Sequence, residues 1–388
     1  MLSARADQGI DLPISAQGGT LLLHWGERLE NFDTTMRLPQ SWAMQAAGKQ
    51  RPNLPTAGDS PASCGTTSLS ALVAMTRPAD WTASKLPFLA AMALLAAPVP
   101  MRTGPLAAAI AIVSGLAAFG FAVNEVADRR CDTLAGKQNR ARNLDGTQQA
   151  LVVAAAAAVA LGFAVALARG PAGPLLLAAD MALAALYSLP PLRLKERGLL
   201  GIAAAAVSQW SVPVLALAAL LGAGLGDPEV WASAALGLAI GVRWMAIHQA
   251  QDIEADRRAG VTTFATRGGP MLRIISAALG AECILLAMVL ALSWPHSEGA
   301  LVALLCWACL ALLTAQQRPP LAQALPTYAY APLSAYYFLL LPVSLALARM
   351  SSVASAVLAA VLFAALGSAQ AAKVWGETTD AIRAHRRL

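Results

Sequence analysis

Two stretches of this sequence set acidic side chains four residues apart, the spacing that lines them up on a helix. The first, NEVADRRCD, carries Asn124, Asp128 and Asp132; the second, HQAQDIEADRRAG, carries Asp252 and Asp256 with Glu254 between them. Residues i and i+4 lie above one another on a helix, so each set projects its oxygens into one volume. Like charges at that spacing repel, and a hard divalent cation with oxygen ligands relieves the repulsion. Magnesium suits such a pair, because it takes one or two carboxylates, keeps waters and completes its shell with phosphate oxygens. Two such clusters facing each other would therefore grip a diphosphate.

The clusters are related by a constant offset of 124 residues, which pairs Asn124 with His248, Asp128 with Asp252, Asp132 with Asp256 and Gly136 with Gly260. A single DxxxD at a helix end is ordinary solvated surface. Two registered copies beside apolar segments read as an internal repeat with a function, since acids at a membrane edge are costly.

The elements that carry them are apolar. Of 388 residues, 57% are hydrophobic and 13% charged, against roughly 25% charged in a soluble domain. From Lys85 onward, apolar runs recur at about 85–101, 105–127, 149–168, 172–190, 199–223, 229–250, 271–293, 299–315, 328–347 and 352–373. Each is read as a membrane-crossing helix, because lipid offers no partner for the backbone groups of loops or open sheets. The expected fold class is all-α: a polytopic transmembrane bundle of nine or ten helices, ten being the first choice, around a central cavity. The acidic motifs end the second and sixth helices, so a bundle joining those helices sets the acids across one cavity.

The net charge of +6 does not point to nucleic acid, because the basic residues sit in short loops between spans. Seventeen lysines and arginines follow even-numbered spans or lie in the C-terminal tail, whereas only Arg102, Arg169 and Arg349 fall on the opposite side. This bias places the motifs and both termini in the cytoplasm, in a multi-pass protein of a bacterial-type cytoplasmic membrane with lipid as its surroundings. Residues 1–74 are polar and read as a mostly unstructured extension without a legible signal peptide, leaving 75–388 as the transmembrane domain. The five cysteines imply no disulfide framework, and Cys306 and Cys309, a CxxC inside an apolar run, read as packing residues.

The motifs resemble those of the UbiA superfamily of intramembrane prenyltransferases, whose hallmarks are similar to Asn-x3-Asp-x3-Asp in one half and Asp-x3-Asp in the other. The likeness extends to RPADWTASK before the first span, YSLPPLRLKERG after the fourth and DIEADRRAGVTTFA after the sixth, over roughly residues 77 to 295. It implies Mg2+-dependent transfer of an isoprenoid group from a prenyl diphosphate to an acceptor, aromatic or lipid-like, that the sequence does not identify. The tenth span and the long N-terminal extension depart from the family's usual nine helices, and Glu125 stands where many relatives carry a different acid.

For that chemistry the metal ligands are Asn124, Asp128, Asp132, Asp252 and Asp256, with Asp128 and Asp252 central to catalysis. Lys195, Arg193, Arg140 and Arg257 are the candidate cations for the diphosphate. Tyr187 would shield the carbocation with its ring, or else anchor the helix at the interface. Asp180, buried midway through the fourth span, would orient the acceptor, take its proton, or pair with Arg243. His248, Glu282 and Gln209 are polar groups of lower rank. The competing reading is a secondary transporter with paired intramembrane acids, but such sites favour broken helices at the bilayer centre, not helix ends beside basic loops.

Overall fold

The computed structural model describes residues 14–17, 20–23, 68–97, 100–134, 136–315 and 333–386. Two short helices, α1 (Leu69–Met75) and α2 (Pro78–Trp81), lead into α3 (Lys85–Ala96), α4 (Thr103–Leu134), α5 (Gly146–Leu167) and α6 (Ala172–Ser188). Then follow α7 (Leu199–Leu221), α8 (Pro228–Arg258), α9 (Met271–Leu292), α10 (Glu298–Ala315), α11 (Leu333–Arg349) and α12 (Val353–Arg386). Each of the ten apolar runs thus becomes a helix, α3 to α12, among the described residues. By length and composition, α4, α5, α7, α8, α9 and the first part of α12 are able to cross a membrane. At 32 and 31 residues, α4 and α8 run to ~47 Å, longer than the ~30 Å hydrocarbon core, so their motif ends project past the lipid.

Helix α3 is different in kind. Every residue from Leu86 to Leu95 is buried, as expected of a helix that is apolar on all sides. It packs against α4, α7, α8 and α11 and so forms the core of the bundle. Being short, it ends inside the protein, where its last carbonyls need donors. Arg349 supplies them: Nε donates to Leu94 O at 3.0 Å, and Nη2 to Leu95 O at 2.6 Å and Ala97 O at 2.8 Å. That role accounts for one of the few basic residues on the far side of the membrane.

Helix α7 is interrupted by a π turn at Val207–Ser211, a device that re-aims side chains within a helix. The turn presses against Gly237 and Gly241 of α8. A Cβ at Gly237 would fall 2.6 Å from Trp210 O, and one at Gly241 would fall 2.7 Å from Trp210 Cδ1, so this crossing requires residues without side chains. Trp210 in turn meets Phe88, Trp244 and Phe338 at ring separations of 5.5, 6.1 and 6.4 Å. Farther along α8, the guanidinium of Arg243 forks onto Glu282 of α9 through Nε to Oε1 and Nη2 to Oε2, the latter at 2.9 Å. This buried bidentate pair replaces the alternative in which Arg243 is the partner of Asp180, because Glu282 matches the planar fork with both oxygens.

The domain border expected at residue 74 falls inside α1. Met75 joins Ala122, Ala141, Leu144 and Val152 in a small apolar cluster, with Ala71 and Leu72 packed against it. In the extension, the described residues form one antiparallel hairpin, β1 (Ile14–Gln17) with β2 (Thr20–Leu23), in the register Gln17↔Thr20. The sequence between them is Gly18-Gly19, a pair suited to a two-residue turn. The membrane-spanning part is all-helical among the described residues. Cys64 and Arg318 lie outside the described residues.

Candidate active site

The offset of 124 residues is visible in the backbone. α4 and α8 both stop at a glycine in the left-handed region, Gly136 at φ 68° and Gly260 at φ 67°. At the first end, Gly136 N–H donates to Thr133 O and Lys137 N–H to Asp132 O; at the second, Gly260 N–H donates to Arg257 O and Val261 N–H to Asp256 O. This is the double-bonded Schellman closure, built twice. It fixes the last acid of each motif at the helix end.

On α4, Lys195 Nζ lies between Asn124 Oδ1, at 3.0 Å, and Asp128 Oδ1, which it bonds at short range. Arg193 Nη2 reaches the same Asp128 oxygen at 3.1 Å, and Ser188 Oγ donates to Asn124 Oδ1 at 3.0 Å. Both cations come from the loop between α6 and α7, where Arg193 itself takes a left-handed φ of 38°, a strain of ~1–2 kcal/mol for a residue with a Cβ. Burial lowers the Lys195 ammonium below its usual range, and Asp128 opposes the shift. Asp132 turns aside to accept from Asn139 Nδ2 at 2.8 Å.

On α8 the arrangement is similar but the cation comes from the other half of the chain. Lys137, the residue after the α4 cap, places Nζ 2.8 Å from Asp252 Oδ2 and 3.9 Å from Asp256 Oδ1. Burial pushes the Asp256 carboxyl up to about 6, with Lys137 opposing and Asp252 and Asp128 adding to it. His248 Nε2 stands 3.7 Å from Asp252 Oδ2.

Nearby, Lys85 and Tyr187 are partly buried, and His248 has 63% of its side chain accessible. The charges of both Asp128 and Asp256 act on the Tyr187 hydroxyl. Those of Asp252, Lys137, Arg77 and Lys85 act on His248. Lys137, from the α4 end, bonds Asp252 and approaches Asp256 on α8, so the motif ends from two distant stretches lie next to each other. Beside Arg193, a cavity of about 270 Å³ is lined by Arg193, Glu196, Arg197, Thr262 and Arg267.

Two of the expected phosphate cations are placed otherwise. Arg140 turns to the buried Glu125, its backbone N–H donating to Oε2 at 2.6 Å and its Nη1 lying 3.5 Å from Oε1. Arg257 is exposed on α8 and makes no ion pair among the described residues. Conversely, Lys137, Asn139 and Ser188, which the motif spacing does not single out, bond Asp252, Asp132 and Asn124. Lys137 was within reach, since it directly follows the repeated glycine; Asn139 and Ser188 carry no spacing signal.

Among the described residues, no three His, Cys, Asp or Glu side chains converge closely enough to cage a metal alone. Each motif instead offers two carboxylates with an ammonium between or beside them, and Asn124 adds an amide oxygen. This all-oxygen set, already arranged around a positive charge, fits a hard dication that relies on phosphate and water for the rest of its shell.

No curated protein of known function matches the chain significantly. Among solved structures, the chain is similar to a UbiA homologue from Archaeoglobus fulgidus bound to DMAPP and Mg2+, at 16% identity and TM-score 0.45, covering 78% of this chain and 99% of that one. The same organism's homologue bound to GPP and Mg2+ gives 18% identity and TM-score 0.44, with 78% and 99% covered. A UbiA homologue from Aeropyrum pernix K1 gives 21% identity and TM-score 0.42, with 77% and 97% covered. The sequence profile of the UbiA prenyltransferase family matches residues 85–325, a stretch that holds both acidic motifs, both glycine caps and the loop bearing Lys195. With well over half its length inside that match, the chain belongs to the UbiA prenyltransferase family.

Proposed function

We propose that this chain uses the paired motifs to ionise a prenyl diphosphate and transfer the isoprenoid group to an acceptor, aromatic or lipid-like, at the cytoplasmic face of a bacterial-type inner membrane. The observation that carries this reading is the ion pair of Lys137, the residue after the α4 cap, with Asp252 of the α8 motif at 2.8 Å, which brings the two ends of the repeat around one volume. A diphosphate in that volume would meet both motifs at once.

Breaking the allylic C–O bond puts negative charge on the leaving diphosphate and positive charge on the prenyl carbon. Mg2+ bound between motif and diphosphate would supply the charge neutralisation that makes the diphosphate a leaving group. Asp128, Asp132, Asp252 and Asp256 are the residues to hold it, with Asn124 adding its amide oxygen. Lys195, Arg193 and Lys137 sit where they can turn from carboxylate to phosphate oxygens and clamp the leaving group. Tyr187, the residue before Ser188, would present its ring to the prenyl carbon. The apolar walls beneath it keep water from quenching the cation.

The test is magnesium-dependent release of diphosphate from prenyl diphosphates by the purified protein in lipid. Release by the wild-type protein and none by Asp128→Ala is the expected result. Release that persists in Asp128→Ala, or that needs no divalent ion, would overturn the reading. A wild-type protein that releases none but moves solute across vesicles would favour the transporter.

A further inference from the structure

A second polar station, which the diphosphate chemistry leaves unused, lies deeper in the bundle. Asp180, midway along α6, is 1% exposed, and neither of its carboxyl oxygens completes a hydrogen bond. The groups that act on it are the Ser208 hydroxyl from the π turn of α7 and the Lys85 ammonium from the start of α3. A buried carboxyl without a full set of donors is costly, the more so inside a membrane, and a ligand bringing an O–H relieves that cost.

Lys85 completes the station. Its Nζ bonds Gln209 Oε1, also from the π turn, and lies 4.6 Å over the centre of the Phe121 ring. Phe121 is three residues before Asn124 on α4, hence ~4.5 Å deeper. Asp180 is seven residues before Tyr187 on α6, hence ~10 Å deeper. Lys85, over Phe121, therefore sits about one helical turn below Asn124, on the motif side of the bundle. An ion held at the acids and a prenyl carbon one diphosphate length away would bring the reacting carbon toward the level of Lys85.

We infer that Asp180 and Lys85 form the acceptor subsite, Asp180 taking the proton of an acceptor hydroxyl while Lys85 holds the oxygen left behind. The inference rests on the prenyl-transfer reading above. In the step, the acceptor O–H bond breaks and its proton passes to a carboxylate oxygen of Asp180. The freed electron pair on oxygen forms the bond to the prenyl carbon, and the carbon–oxygen bond to diphosphate breaks with its pair leaving on the diphosphate. The ammonium of Lys85 favours an acceptor with an ionisable hydroxyl, such as a phenol or enol, and disfavours a cationic amine.

The test uses the full chain in lipid nanodiscs with Mg2+, tritiated geranylgeranyl diphosphate, and a total lipid extract of the native membranes as the source of acceptor. Asp180→Asn is expected to lower the rate of label transfer at saturating extract about 10²-fold, the usual share of a general base. It should leave binding of geranylgeranyl diphosphate unchanged, and Asp180→Glu should restore part of the rate. Lys85→Gln should raise the amount of extract needed for half-maximal transfer. Unchanged transfer in Asp180→Asn, or loss of geranylgeranyl diphosphate binding in that variant, would overturn the assignment. If the Asp180 variants do not assemble, an unchanged half-saturation in Lys85→Gln does so alone. A wild-type protein that neither binds nor transfers the label would instead remove the prenyl-transfer reading, a distinct failure.

Discussion

The two ends of the repeat share a backbone and differ in electrostatic dress. Lys137 and Val261 occupy equivalent positions after their glycines and donate the same backbone bond. Asn139 and Thr263 are equivalent as well, and each acts on the last acid of its own motif. The cations break the pattern. Asp128, with 15% of its side chain exposed, is held by Lys195 at 12%, whereas Asp252 at 29% is held by Lys137 at 36%. The α4 motif is therefore drier and clamped by a dedicated loop, while the α8 motif is wetter and borrows its lysine from the α4 cap. Val261 has nothing to lend in return. A duplicated element has become an asymmetric site in which one half depends on the other.

The largest effect should ignore this asymmetry. Asp128→Ala and Asp252→Ala each remove a carboxylate from the grip on the diphosphate, a loss of several kcal/mol of charge stabilisation, or about 10³-fold in rate. Diphosphate release measured side by side checks it, and a variant with near-normal turnover would show that one motif alone suffices. The lysines should expose the asymmetry. Charge-assisted bonds gain strength as water is excluded, so Lys195→Met is expected to raise the KM for prenyl diphosphate by about 100-fold and Lys137→Met by about 10-fold. Steady-state kinetics with the two variants decide the order; the reverse ranking would mean that the wetter motif is the principal phosphate clamp.

Much of this site was legible in the residues because it is written in local periodicities. The i, i+4 acids, the 124-residue offset and the apolar runs depend on sequence spacing alone, and all reappear as helix faces and helix ends. Long-range partner choice was not legible. The positive-inside bias puts basic residues in every loop on one side, so nothing in the sequence separates Lys137, which crosses to Asp252, from Arg140, which turns back to Glu125. Arg243 offered two buried acids within the bundle, Asp180 and Glu282, and only the facing of α8 onto α9 selects Glu282. The π turn that delivers Ser208 and Gln209 has no composition signal, since VSQWS reads as ordinary apolar helix.

The glycine caps offer the subtlest separation of the two halves. Gly136 and Gly260 share a left-handed φ and neither has a neighbour within contact of an added Cβ. Alanine at either position therefore meets only backbone strain, roughly 1–2 kcal/mol, and both variants should lose similar amounts of thermal stability in detergent. Activity should not follow stability. Gly136→Ala disturbs the turn that aims Lys137 at Asp252, so it should raise the KM for prenyl diphosphate by up to about tenfold, the share expected of Lys137 itself. Gly260→Ala disturbs the turn that closes on Asp256 but moves no lysine, so the KM should rise less than in Gly136→Ala. If both variants impaired KM equally, the helix ends themselves, and not the lysine that one of them delivers, would be what holds the diphosphate.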